Sequence, residues 1–190
     1  MDTEDAEKLE EQRIRRKLYM KEVREYGLTL KHTLATTRFT NETWEENCRF
    51  REKNLNVKCA YTSPIPLSQN ILPESLVFVL EMNNDTNRIM GIGLVKNRPV
   101  FEKYVIYKVN NYNRFFYFGK WRIGVEDMTR YEQEVLKIYE DMCFNGPRHM
   151  KRGHGITSFP MSLQYTCFPK IHLMEHIRHM FKKRMDQNKI

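Results

Sequence analysis

The sequence contains no apolar run approaching the roughly 20 residues that cross a bilayer, so no membrane partner is expected. Glycine and proline are scarce, eight and seven in 190 residues, which excludes a collagenous or low-complexity chain. The four cysteines, Cys48, Cys59, Cys143 and Cys167, lack the short spacing of a zinc knuckle or a redox motif. Free thiols in a reducing compartment are therefore expected. The start, MDTEDAEKLEEQ, is acidic and polar, unlike a secretory signal peptide, and an intracellular location is expected. No catalytic signature is complete, which favours a non-enzymatic protein without cofactor or metal.

What is present suits a globular protein. Hydrophobic residues make up 41% of the chain and charged residues 29%, and the length suffices for a core that needs no disulfide. Aromatics reach 12%. The net charge is +8, and two blocks hold the excess: residues 88–125 carry eight basic side chains against one acidic, and residues 145–190 carry nine against two. Brought to one face, they would form a field suited to phosphate backbones; left apart, they are solvated surface.

Residues 3–27 read as a surface helix with an apolar stripe at Tyr19, Val23 and Tyr26, Ile14 and Leu18 beside it, and acidic first turns. The basic run Arg13–Lys17 reads as a solvated face or a phosphate contact. Residues 1–28 are set apart as a charged extension that could dock a protein partner, and 29–190 as a single α+β domain. Within it, residues 33–39 (TLATTRF) and 57–62 are strands flanking a helix at 42–53. Leu76–Met82 and Arg88–Lys96 make a hairpin across a polar turn, followed by strands at Lys103–Val109, Arg114–Phe118 and Trp121–Ile123. So many short strands predict a curved antiparallel sheet or small barrel. Thr129–Glu132 is a capping box opening a helix with Tyr131, Val135, Ile138 and Met142 on its stripe. A last helix over 171–185 buries Leu173, Ile177, Met180 and Phe181.

Four constellations could carry chemistry. Gly91 and Gly93 inside a strand mark either a barrel bend or a ligand groove. Residues 110–123, NNYNRFFYFGKWRI, alternate aromatics with Arg114, Lys120 and Arg122, which suits base stacking with phosphate contacts or a strand buried on both sides. Residues 146–157, GPRHMKRGHGIT, set Arg148, His149, Lys151, Arg152 and His154 among glycines, as an anion-binding loop does; the other reading is an exposed basic turn. His172-Leu173-Met174-Glu175-His176 has a metallopeptidase spacing, but a third ligand is missing and basic surroundings repel a cation.

The hairpin with Ile89-Met90-Gly91-Ile92-Gly93-Leu94-Val95 is similar to the central hairpin of PUA-like barrels, the group that includes EVE and YTH domains. The wider pattern, a Trp-containing helix with the blocks YNRF…GKWRI and HMKRGHGIT, resembles an uncharacterised protein family of large eukaryotic DNA viruses. The resemblance implies a small barrel flanked by helices that binds nucleic acid, often a modified or extruded base in an aromatic cage. A viral origin would imply host cytoplasm, nucleus or the virion as location. Gly91 and Gly93 fall on the barrel motif, whereas the two basic blocks lie outside the EVE and YTH pattern.

The leading expectation is thus a nucleic-acid-binding module for RNA or DNA. Arg114, Lys120, Arg122, Arg148, Lys151, Arg152 and His154 would contact the backbone, Tyr112, Trp121 and Trp44 would stack on bases, and Gly91 and Gly93 would line a groove. Two alternatives stand beside it: a viral structural or protein-interaction component, and a nucleic-acid hydrolase using His149 and His154 as acid–base groups.

Overall fold

The computed structural model describes residues 3–68 and 70–187. The chain divides into two compact units, Met1–Lys31 with Pro160–Leu173 and His32–Phe159 with Met174–Ile190. The 1–28 and 29–190 boundary is therefore revised, because residues 160–173 belong with the N-terminal segment.

In the first unit, helix α1 (Thr3–Thr29) meets helix α4 (Met161–Cys167). Tyr26 packs on Tyr165 and Phe168, and the Tyr19 hydroxyl donates to the Ser162 carbonyl. Val23 and Tyr26 are buried, while Ile14 and Leu18 stay exposed, so only the C-terminal half of the expected stripe is covered.

The second unit is α+β. Strands β1 (Thr33–Phe39), β3 (Leu76–Asn83), β4 (Arg88–Lys96), β6 (Trp121–Gly124) and β7 (Thr157–Ser158) form one sheet in the order β6-β4-β3-β1-β7. Strands β2 (Cys59–Ser63) and β5 (Phe115–Gly119) form a separate two-stranded ribbon. The sheet is mixed rather than antiparallel throughout, because β1 runs parallel to β3, and the described strands close no barrel. Helix α2 (Asn41–Lys53) lies on the crossover between them, opened by a Thr40–Thr43 capping box.

The β3–β4 hairpin forms as the polar turn requires: the Asn83 side-chain oxygen accepts from the Asp85 and Thr86 amides, and Asn87 takes a positive φ of 54°. A bulge interrupts its register between Leu80 and Met82, so Met90 and Gly91 together oppose Glu81.

Residues 103–109, expected as a strand, are a loop. The Asn113 side-chain oxygen takes the Ile106 and Tyr107 amides at 3.0 and 3.1 Å, and its amide donates to the Tyr107 carbonyl. A side chain thereby occupies backbone groups that a ladder would need.

Helices α3 (Arg130–Phe144) and α5 (Leu173–Gln187) complete the unit. The Thr129–Glu132 capping box forms as read, and Leu173, Ile177, Met180 and Phe181 are all buried. On α3 the buried face is Val135, Leu136, Tyr139, Cys143 and Phe144, with Tyr131 exposed, which shifts the predicted stripe around the helix.

Candidate functional site

The site begins at the end of β1. Its β-branched residues pair with β3 on one side and β7 on the other, so the side chain of Arg38 emerges where β1 passes the loop leading into β7. Arg38 donates through Nε to the Met150 carbonyl and through Nη1 to the Thr157 hydroxyl at 2.9 Å. Two further ties hold this loop: Thr36 and Thr157 share a hydroxyl hydrogen bond at 3.2 Å, and Asn84 Nδ2 donates to the Lys151 carbonyl at 2.9 Å. The basic 149–157 segment is thus fastened to the sheet at three points by its backbone and Thr157, which leaves its charged side chains outside.

Beside Arg38 lies a half-enclosed cavity of about 210 Å³. That is below the range of about 300–1,000 Å³ that holds drug-sized ligands, and suits one planar ring. Its floor carries Thr37 and Thr62, which are 4% and 6% exposed and make no hydrogen bond through their hydroxyls among the described residues. Tyr107 and Tyr112 supply aromatic walls, meeting edge to face at a centroid separation of 6.4 Å. Tyr107 is fixed from behind by the buried Asn47, whose amide donates to its hydroxyl at 3.0 Å. Gly153 and His154 form the rim opposite.

The glycines of this loop are required by their geometry. Gly153 and Gly155 have φ of 121° and 65°, a region unfavourable to other residues. A Cβ on Gly155 would collide with the Ser63 side chain, and one on Gly153 would sit 3.4 Å from the Arg38 guanidinium carbon. Gly155 thus lets the loop pack against Ser63, and Gly153 lets it pass beside Arg38.

Burial lowers the Arg38 pKa from its ordinary value, and no carboxylate pairs with Arg38 among the described residues. Arginine keeps its charge at this cost, so Gly153, which lines the cavity, is backed by a partly desolvated cation. The Asn84 side-chain oxygen, buried and without a partner among the described residues, belongs to another residue lining the same cavity.

The residues expected from sequence separate into two groups. Tyr112 and His154 line the cavity, and Arg148 and Arg152 are exposed on the adjoining loop with Lys151 half-buried. Arg114 is exposed next to Phe115, which pairs with Ser63, the residue against Gly155. The start of the 110–123 block and the 146–157 loop therefore meet.

The end of that block lies elsewhere. Lys120 is exposed beyond Gly119, at the far end of β5, and the half-buried Trp121 pairs with Leu94. Arg122 is corrected outright as a phosphate contact, because it binds Glu81 through Nε and Nη2 in the interior. Trp44, expected to stack on a base, does not line this cavity. It packs edge to face on Phe39, the Arg51 and Arg122 guanidiniums lie 5.2 and 5.4 Å from its ring centroid, and it lines a separate cavity of about 440 Å³.

Gly91 and Gly93, expected to line a groove, line neither of these two cavities. A Cβ on Gly91 would come within 2.8 Å of both Arg122 and Glu81, and one on Gly93 would collide with the Tyr61 hydroxyl. These glycines make room for an internal Tyr61–Glu81–Arg122 cluster, in which the Tyr61 hydroxyl donates to Glu81 at 2.7 Å.

Arg38, Thr37, Thr62, Tyr107 and Asn84 were missed in the sequence. The available signal was Arg38 itself, a cation inside an otherwise apolar and β-branched strand. Among the described residues, no cluster of three or more His, Cys, Asp or Glu side chains could hold a metal, and no helix is long and apolar enough to cross a membrane. No family model, curated protein or solved structure matches this chain.

Proposed function

We propose that the unit of residues 32–159 and 174–190 is a nucleic-acid-binding module that takes one extruded or modified base into the cavity beside Arg38. The backbone would run along Arg148, Lys151 and Arg152 towards Arg114. The observation that carries this reading is the junction of a ring-sized aromatic cavity with an anchored basic glycine loop. Rings of tyrosine stack on any base, and exposed cations neutralise phosphates, so the two features serve two parts of one ligand. The β2–β5 ribbon lies close against β4, and a PUA-like relationship for this unit is part of the proposal. Trp121 and Trp44 have no part in this version.

The test is the salt dependence of affinity for single-stranded RNA and DNA oligonucleotides. Engagement of three or four phosphates of a single strand gives a slope of log K against log salt on the order of −2 to −3. An affinity indifferent to salt, or no binding at low salt, rejects the reading.

A further inference from the structure

We infer that Arg38 makes the cavity selective for guanine, through the O6/N7 edge of the base. The inference rests on the nucleic-acid reading above and adds which base the cavity takes.

A guanidinium has five N–H donors in a planar fork and no acceptor. On Arg38, Nε and one Nη1 proton are spent on the Met150 carbonyl and the Thr157 hydroxyl. Both Nη2 protons and the second Nη1 proton have no partner among the described residues. The two anchoring bonds fix the plane of the fork, so its remaining donors are held in place before any ligand arrives. Gly153 leaves the space next to Nη1 and Nη2 free of a Cβ. The guanidinium is half-buried beside Gly153, which lines the cavity, and lacks a carboxylate, so a ligand acceptor there meets little competition from water or from the protein.

A donor-only fork selects among bases by their edges. Guanine offers two adjacent acceptors, O6 and N7, with no donor between them, the pattern that arginine grips in a bidentate way. Adenine sets its N6 amino group beside N7, and that donor would face the donors of Arg38. Cytosine likewise brings an amino group, and uracil offers a single carbonyl on the corresponding edge. The unengaged hydroxyl of Thr62 remains to accept from an N1 or N2 proton of guanine, while Tyr107 and Tyr112 serve its ring.

The experiment measures binding of fluorescently labelled single-stranded oligouridine and oligothymidine carrying one central guanine, adenine, 7-deazaguanine or abasic position, at low salt. Guanine is expected to bind on the order of tenfold more tightly than adenine, and 7-deazaguanine to lose several-fold of that advantage. Arg38→Lys keeps the charge and loses the fork; it is expected to bring guanine and adenine within about twofold while the salt slope stays as in the wild type. The 7-deazaguanine comparison uses the unaltered protein, so a misfolded variant would not decide the outcome. Equal affinity for guanine, adenine and 7-deazaguanine overturns the inference and leaves nucleic-acid binding standing. An abasic position bound as tightly as guanine assigns Arg38 to phosphate and also overturns it. Failure to bind every oligonucleotide rejects the nucleic-acid reading itself, and base selectivity with it.

Discussion

Glu81 and Arg122 form an ion pair inside the protein, with Nη2 and Oε2 at 2.9 Å and side chains 1% and 10% exposed. Tyr61 completes the coordination of the carboxylate, and Arg122 also donates to the Met90 carbonyl at 3.0 Å. Burial and the neighbouring Glu81 charge push the Tyr61 pKa well above its usual value, so Tyr61 stays a neutral donor. The bulge in β4 and the two glycines opposite are the means by which a charged side chain on a central strand is accommodated.

Removing one partner of this pair is costly. Glu81→Ala leaves Arg122 with the exposed Glu126 at 3.4 Å as its remaining carboxylate, and is expected to lower stability by about 3–5 kcal/mol in urea denaturation. A paired replacement by apolar residues, Glu81→Leu with Arg122→Met, is expected to be less damaging than either single change. Equal stability of Glu81→Ala and wild type would show that the pair contributes nothing.

The glycines separate steric demand from backbone demand. Gly93→Ala forces a methyl into Tyr61 and Cys59 and is expected to cost about 3 kcal/mol or more. Gly146→Ala meets nothing within 4 Å, and its positive φ of 75° alone should cost about 1–2 kcal/mol. Thermal unfolding of the two variants checks the order, and a reversed order contradicts the packing described.

Stability at acid pH depends on Glu132. The Arg184 guanidinium, with help from the Thr129 cap, holds its carboxyl at about 2, against an ordinary 4.5. A depressed folded-state value means that the stabilisation is complete above about 4.5 and is lost as the pH falls towards 2. The advantage of wild type over Glu132→Gln should therefore be on the order of 2–3 kcal/mol at neutral pH and shrink through that window. A difference constant with pH would contradict the pairing.

The thiols should react in a fixed order. Burial raises Cys59 and Cys143 to about 12, while Cys48 and Cys167 are half-buried. Alkylation at pH 8, followed by mass spectrometry, is expected to modify Cys48 and Cys167 well before the other two. Early modification of Cys59 would mean that β2 is not sealed as described.

The elements that local chemistry determines were legible in the sequence. The hairpin turn at 83–87 and the Thr129–Glu132 cap each use side chains a few residues apart, and both form as read. The cavity was not legible, because it gathers Thr37 with Arg38, Thr62, Tyr112 and Gly153 from four separate stretches. Arg122 and Arg148 look alike in sequence, yet one faces a buried carboxylate and the other solvent; a bulge and a missing Cβ decide between them. The glycine pair was read as a groove or a bend, and the partner that explains it, Glu81, sits on the opposite strand.

The most direct test of the nucleic-acid reading is an NMR titration of the labelled protein with a short single-stranded oligonucleotide at low salt. The account predicts that amide signals of Thr37, Thr62, Tyr112, Gly153 and His154 shift together, with those of Arg148 to Arg152, while Trp44, Lys120 and Arg122 stay in place. Shifts that gather at Trp44, Arg51 and Lys120 instead, or no shifts at all, would contradict it.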